Sequence, residues 1–286
     1  MAVVLGQMVQ DAARRLGAVG IDTALLDARL LAAEVLGLEP RALFARQHLE
    51  PTTAERDRFD ALLARRLARE PMSHLLGRRG FWSIEVAVTA DTLDPRADTE
   101  TVIEAVLATL SDRTGALRLL DLGTGTGCIL LALLTELGHA SGLGIDKSPE
   151  ALAVALRNAE ALGLAGRARF RLGDWGSGLE PGFDVIVSNP PYIPDDDIEG
   201  LEPEVARFEP RLALAGGTDG LDCYRALAPQ IARLLAPGGV AVLEVGQGQA
   251  GAVAGLLTEA GLVLRGVRTD LGGVERCVIA GREANS

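Results

Sequence analysis

The stretch LRLLDLGTGTGCILLALL, residues 117–134, decides how the rest of the chain is read. It begins as a short apolar strand, LRLLDL. It turns through Gly123, Gly125 and Gly127, then continues as an apolar helix over 127–137. A strand that feeds a glycine turn at a helix start is the first half of a strand–helix–strand unit. Glycines there let backbone amides come close to a ligand. The spacing argues against two ligand classes. A dinucleotide fingerprint wants Gly or Ala in the sixth place counted from Gly123, where Cys128 stands, and no Lys-Ser/Thr follows to make a phosphate loop. With Asp121 just ahead of the turn, the loop suits a ligand without phosphates.

The alternation continues toward the C-terminus. Strands are expected at 142–146, 168–173, 183–188 and 239–245, and helices at 149–162, 221–235 and 248–260. Ser148-Pro149 supplies a cap and first-turn pair for the first of these helices. Strands 262–269 and 275–280, joined by a short turn through Leu271-Gly272-Gly273, read as an antiparallel pair at one edge. Strands alternating with helices imply an α/β domain, a mostly parallel sheet covered on both faces.

Toward the N-terminus the texture differs. Residues 1–71 read as a small helical bundle. Leu5, Met8, Val9, Ala12 and Leu16 recur at helical steps. Asp22 is the expected cap of a helix over 23–36 that ends at Gly37, Pro40 opens a short third helix, and Thr52 or Thr53 caps a fourth over 54–69. Residues 72–98 read as a linker with a strand or hairpin, FWSIEVAV at 81–88. The loop Asp94-Pro95-Arg96-Ala97-Asp98-Thr99-Glu100 then leads into a helix over 99–110. The expected domains are therefore a helical docking unit at 1–71, a linker and hairpin at 72–98, and the α/β domain at 99–286.

Charge separates the same regions. Residues 1–80 hold 12 Arg against 10 acids, whereas the remainder holds 16 Lys or Arg against 29 acids. An acidic body is a poor platform for a phosphate backbone, so direct nucleic-acid binding is not expected. Cys128, Cys223 and Cys277 are odd in number and far apart, with no metal-ligand spacing, so no metal site is expected. A reducing, cytoplasmic location fits them. No secretory signal or membrane span is read, and nothing argues for more than a monomer.

In such sheets ligands bind beyond the carboxyl ends of the strands. Four groups end strands on that rim: the loop Gly123-Thr124-Gly125-Thr126-Gly127, Asp146, Asp174-Trp175, and Asn189-Pro190-Pro191-Tyr192. Asp146 can accept both hydroxyls of a ribose. Asp174 can accept an adenine amino group, and Trp175 can cover the ring. The last group sits in VSNPPYIP, where prolines 190 and 191 fix the backbone and offer no N–H. The Asn189 side-chain oxygen and the Pro190 carbonyl are candidate hydrogen-bond acceptors, and Tyr192 can stack against a planar group.

The combination resembles S-adenosylmethionine-dependent methyltransferases of class I, whose Rossmann-like sheet has seven mostly parallel strands and in which Asn-Pro-Pro-Tyr marks transfer to a planar nitrogen. Further motifs narrow this. PMSHLLGRRGFWSIEVAV, DPRADTE, GDW, FEPRLALAGGTDGLDCYRAL, LEVGQGQ and DLGGVERCV together resemble the release-factor glutamine methyltransferases, the PrmC/HemK family. The resemblance covers most of the chain. It implies N5-methylation of the glutamine in the GGQ motif of peptide-chain release factors, with S-adenosylmethionine as cofactor. Gly123 to Gly127, Asp146, Trp175 and Asn189 would contact the cofactor, Asn189 to Tyr192 would hold the glutamine amide, and the helical region would dock the release factor.

One departure stands out. The family commonly reads IPRPDTE where this chain has Asp94 and Ala97 in place of an apolar residue and a proline. Two other substrates remain open. A sibling family methylates a glutamine of ribosomal protein L3, but its junction motif looks like PRSPIAE rather than Ala97-Asp98-Thr99-Glu100. A nucleic-acid amino-methyltransferase shares the Asn-Pro-Pro-Tyr, but the acidic body argues against it. A nucleoside-binding regulatory domain without activity is the reading least compatible with an intact Asn-Pro-Pro-Tyr.

Overall fold

The computed structural model describes residues 4–284 and divides into two compact units. One holds the chain through Gly77 together with Glu202–Phe208, and the other holds Arg78–Leu201 and the chain from Glu209 onward.

The first unit is helical. Helix α1 (Leu5–Ala18) buries Leu5, Met8, Val9, Ala12 and Leu16, the stripe that its spacing predicts. Helix α2 (Ala24–Leu36) ends at Gly37 in the left-handed region, with φ 61°. The expected cap at Asp22 does not form. Thr23 takes the cap position, and no side chain closes that first turn. Pro40–Arg46 is a 3-10 turn. Helix α3 (Thr53–Leu67) starts with a capping box, in which Thr52 and Glu55 satisfy each other's backbone N–H. Helix α4 (Met72–Leu76) follows.

Inside this unit the Arg66 side chain is buried. Its Nε donates to Asp27 at 2.8 Å and its Nη1 to Glu204 at 2.9 Å, while Arg69 Nε donates to Glu204 at 2.6 Å. Glu204 lies on a short helix, Pro203–Phe208. Burial pushes its carboxyl up, but the hydrogen bonds from Arg69 and Arg66 outweigh this and hold it below the usual range. The division between units thus falls at 77/78 rather than 71/72. Leu75 of α4 is buried in the helical core, and residues 202–208 join that unit through an ion pair that no local pattern announces.

In the second unit, β1 (Arg78–Phe81) and β2 (Ile84–Ala87) form an antiparallel hairpin. There follow α5 (Glu100–Thr109), β3 (Arg118–Leu122), α6 (Cys128–Glu136), β4 (Ser141–Asp146), α7 (Pro149–Ala161), β5 (Ala168–Leu172) and β6 (Phe183–Ser188). After a long connection come α8 (Asp222–Leu234), β7 (Leu235–Glu244), α9 (Ala250–Glu259), β8 (Val263–Thr269) and β9 (Glu275–Gly281). The seven-stranded sheet has the order β5-β4-β3-β6-β7-β9-β8. It is parallel except that β9 runs antiparallel between β7 and β8. The expected terminal hairpin is present, with β8 as the outer strand.

Alternation along the central strands feeds two cores. Leu119, Val185, Val187, Val240 and Val242 pack on the side of α5 and α6, and Leu120, Ile186, Ala241 and Leu243 pack on the side of α8 and α9. A strand buried on both faces needs apolar residues in both registers, which is why these segments read as continuous apolar runs. The sheet reverses direction of growth at β3, whose neighbours are β4 and β6. The carboxyl ends of β3 and β6 therefore lie side by side, with Asp121 paired to Val187. Among the described residues no helix is long and apolar enough to cross a membrane.

Candidate active site

The glycine loop leaves β3 through three left-handed residues, Gly123, Gly125 and Gly127, at φ 78°, 54° and 80°. Its form is fixed from outside. Gly123 N and Thr124 N both donate to the Ile145 carbonyl at 2.9 Å, and Asn158 of α7 donates to the Thr126 carbonyl at 2.9 Å. The Thr126 hydroxyl accepts from Cys128 N at 3.3 Å. Gly127 packs inward, where a Cβ would stand 3.2 Å from that of Ala155. Below the loop, Asp121 is fully buried and accepts from the Thr124 hydroxyl at 2.6 Å. Burial pushes its carboxyl up to about 7, against the Thr124 bond and with help from the nearby Asp146 charge. Its Oδ1 has no partner among the described residues.

Asp146 ends β4 and faces this loop. Its Oδ2 accepts from Gly125 N at 2.8 Å and its Oδ1 from Ser148 N at 3.0 Å. Each oxygen keeps lone pairs for a further donor, so the acid is oriented before any ligand arrives. Trp175 follows β5 in a left-handed conformation, with φ 52°. Its ring lies so close to Gly123 that a Cβ there would meet Cζ3 at 3.3 Å. Asp174 is exposed at the rim, 3.5 Å from Lys147 Nζ.

Strand β6 is bolted to β3 by the Ser188 hydroxyl, which donates to the Leu122 carbonyl at 2.6 Å. Asn189 then stands next to the glycine loop. Its Nδ2 donates to the Thr99 hydroxyl at 3.2 Å, leaving Oδ1 as the acceptor. No backbone N–H of the described residues donates to the Pro190 carbonyl. Pro190 is buried and Pro191 half-buried. Tyr192 is half-buried and packs against the core beneath, with its hydroxyl 3.5 Å from Glu244 Oε1. Burial pushes that phenol up to about 12. The turn is held by Gln249, whose Nε2 donates to the Tyr192 carbonyl at 2.9 Å. Residues 193–195 are strapped to 214–217 by backbone bonds from Ile193 N to Leu214 O and Asp195 N to Gly217 O.

These elements enclose a cavity of about 460 Å³, within the usual range for a small-molecule site. Of the residues that the sequence singled out, Gly123, Thr124, Gly125, Thr126, Asp146, Asp174, Trp175, Asn189 and Pro191 line it, and Gly127, Pro190 and Tyr192 are not among the lining residues. Leu93, Pro95, Ile145 and Ala151 supply apolar surface. Its two cations are each engaged by an acid, Lys147 by Asp174 at 3.5 Å and Arg96 by Glu209 at 2.6 Å. With Asp91, Asp146, Glu150 and Asp174 among its lining residues and no unengaged cation among the described ones, the cavity suits a ligand bearing positive rather than negative charge. No cluster of the described residues could hold a metal ion. Sequence reasoning gave no role to Thr99, Glu209, Glu244 or Gln249. For Glu244 a signal existed: one acid inside the apolar run Val240–Val245.

Comparison with known proteins shows the family. The PrmC N-terminal domain matches residues 7–77, and a methyltransferase domain matches residues 113–254. A release factor glutamine methyltransferase from Rhodospirillum rubrum is 55% identical over 283 residues, covering 99% of this chain and 86% of that protein. One from Cereibacter sphaeroides is 48% identical, covering 95% and 96%. A crystal structure of the ribosomal protein L11 methylase from Lactobacillus delbrueckii subsp. bulgaricus superposes with TM-score 0.50 at 18% identity, over 66% of this chain and 80% of that one.

Proposed function

The chain belongs to the release factor glutamine methyltransferases, and on that premise we propose how its residues carry out the transfer. The substrate is the side-chain amide of the GGQ glutamine in a peptide-chain release factor, and the donor is S-adenosylmethionine. The observation that carries this reading is the orientation of Asn189. Its N–H is already given to Thr99, so its oxygen meets the incoming amide beside the glycine loop.

When bound, the cofactor supplies an electrophilic methyl on a sulfonium. Asp146 would hold the ribose hydroxyls, Gly123 to Gly127 would receive the amino-acid part, and Trp175 and Asp174 would hold the adenine. Asn189 Oδ1 and the Pro190 carbonyl accept the two N–H bonds of the glutamine amide. That pair aims the nitrogen at the methyl and favours a pyramidal geometry, which frees its lone pair from the carbonyl. The new bond is nitrogen to methyl carbon, and the bond broken is sulfur to the same carbon. The nitrogen then sheds one proton, which is acidic once the nitrogen has four bonds, so no base is needed before attack. Pro191 stiffens the platform, and Tyr192 supports it from below. The helical unit serves as the docking surface for the release factor. A substrate of that kind places the enzyme in the cytoplasm.

Mass spectrometry of a release factor incubated with the protein and S-adenosylmethionine tests this. One added methyl on the GGQ glutamine is expected, and none with Asn189→Ala. Methylation of duplex DNA or of ribosomal protein L3 in preference to the release factor would overturn the reading.

A further inference from the structure

Gln249 stands at the cap position of α9, where a short polar side chain usually closes the first turn of the helix. Its side chain makes no bond to the turn it precedes. It reaches the other way, to the back of the Asn-Pro-Pro-Tyr turn. Its Oε1 accepts from Gly246 N at 3.0 Å, which fixes the end of the amide that carries hydrogen. Its Nε2 donates to the Tyr192 carbonyl at 2.9 Å and to the Gly220 carbonyl at 3.4 Å. One acceptor and both donors are therefore in use, a set that neither a carboxylate nor an apolar side chain can supply.

The main chain closes on this contact from two sides, at distances that only glycine permits. A Cβ added at Gly220, where φ is 75°, would stand 2.3 Å from the Tyr192 carbonyl oxygen and 2.6 Å from Gln249 Nε2. One added at Gly246 would stand 2.8 Å from Gln249 Oε1 and 3.0 Å from Tyr192 Cδ2. Both glycines are buried and Gln249 is half-buried, so the amide is packed where it bonds.

The turn needs an anchor of this kind. Pro190 and Pro191 have no N–H, so its two middle residues give no backbone hydrogen bond. Its course is set by what holds its ends. Ser188 holds the first end by donating to the Leu122 carbonyl at 2.6 Å. The second end is Tyr192, with its carbonyl on Gln249, followed by the bond from Ile193 N to Leu214 O at 3.1 Å. Asn189 and Pro191 line the cavity between these two ends, and Gln249 is not among the lining residues. We infer that Gln249 is a positioning residue for methyl transfer, which fixes the Tyr192 carbonyl and with it the peptide groups of Asn189 to Pro191 in the orientation that receives the acceptor amide. This rests on the reading of Asn189 and Pro190 as the groups that hold that amide.

Two measurements together decide the matter. In the first, kcat and KM for a release factor are measured at saturating S-adenosylmethionine for the wild type, Gln249→Ala, Gln249→Met and Gln249→Glu. Methionine fills the space without hydrogen bonds. Glutamate keeps an oxygen for Gly246 N and loses both donors. Each variant is expected to lose about ten- to a hundredfold in kcat, the effect of a displacement of about 1 Å at the reacting group. KM for the release factor and S-adenosylhomocysteine affinity should stay within about twofold of wild type. Gln249→Glu should be no faster than Gln249→Ala, although it keeps the shape and the Gly246 bond. A wild-type kcat in Gln249→Met or Gln249→Glu overturns the inference, as does a loss of cofactor affinity or of fold in step with kcat, which marks a structural role only. The second measurement uses no protein substrate. The side-chain amide resonance of Asn189 in nitrogen-15-labelled protein with S-adenosylhomocysteine should be shifted or broadened in Gln249→Met relative to wild type. If it changes while the wild type methylates no release factor, the substrate reading fails and the positioning role stands. If it does not change, the positioning role fails whatever the substrate.

Discussion

Replacing Asp146 tests the cofactor half of the site, and the geometry yields a magnitude. Both carboxylate oxygens are already in use, Oδ2 with Gly125 N at 2.8 Å and Oδ1 with Ser148 N at 3.0 Å. They hold the acid so that its remaining lone pairs face the cavity. A hydrogen bond to a charged group contributes about 1.5–3 kcal/mol net. The two ribose bonds share one carboxylate and do not add fully. Asp146→Ala is therefore expected to cost about 3 kcal/mol of binding, or about a hundredfold in Kd. Asp146→Asn should not rescue it, although it is nearly isosteric. An amide has one acceptor oxygen, so its NH2 must face either the Gly125 or the Ser148 N–H, and the glycine loop loses an anchor. The assay is calorimetric titration with S-adenosylhomocysteine, with thermal unfolding to establish that each variant is folded. At saturating cofactor kcat should change little, because the bonds are made equally in the ground and transition states. A folded Asp146→Ala protein with Kd within about threefold of wild type would refute the assignment of Asp146 to the ribose.

Asn189→Ala should abolish turnover while S-adenosylhomocysteine affinity stays within a few fold, as read by the same titration and by methyl counting on a release factor. Gly144→Ala should be destabilising by about 1–3 kcal/mol in urea unfolding, because the added Cβ would stand 2.7 Å from Phe170 Cδ1 and 2.8 Å from Thr124 Oγ1. Arg66→Ala should destabilise by about 3–5 kcal/mol, since it strands Asp27 in the helical core with Glu204 left to Arg69. Far-ultraviolet circular dichroism in urea measures it, and an unchanged midpoint would count against the pair. The pH dependence of stability has a definite sign. Asp121 and Glu244 are pushed up to about 7 by burial, so the fold keeps protons that the unfolded chain has already released. Their contribution is greatest at low pH and is lost as pH rises from about 4 through about 7. Glu244→Gln removes its share, on the order of 3 kcal/mol. The variant should therefore gain on wild type between pH 5 and pH 8 in urea unfolding, and an unchanged difference would sink this account.

The fold was legible because strand and helix here obey different periods. The apolar runs at 117–122, 183–188 and 239–245 are too short and too uninterrupted for surface helices, and they are the strands buried on both faces. Ser148-Pro149 announced α7, and its cap forms as that pair implies. What failed was local competition and long-range partnering. Asp22 and Thr23 both precede α2, and neither side chain closes its first turn. The attachment of residues 202–208 to the helical unit depends on Arg66 and Arg69 meeting Glu204, more than 130 residues away in sequence. No periodicity carries that information: the sequence pattern changes at 71/72, while the compact units part at 77/78.

The candidate site divides along the same line. Residues that end strands could be named from sequence, because the topology of a doubly wound sheet places every strand end on one rim. Gly123, Asp146, Trp175 and Asn189 meet at one cavity for that reason. The residues that give these groups their direction could not be found this way, because their partners come from other elements. Thr99 lies in the segment before α5, yet its hydroxyl accepts from Asn189 Nδ2 at 3.2 Å. Glu244 is one letter in an apolar strand, and its place behind Tyr192 follows only from β7 pairing with β6. Tyr192 has a second tie that its place in the motif does not announce: its half-buried ring packs against the sheet core and its hydroxyl lies 3.5 Å from Glu244 Oε1. In Asn-Pro-Pro-Tyr, then, Asn189 and Pro191 line the cavity, while the Tyr192 hydroxyl reaches toward Glu244 on the neighbouring strand.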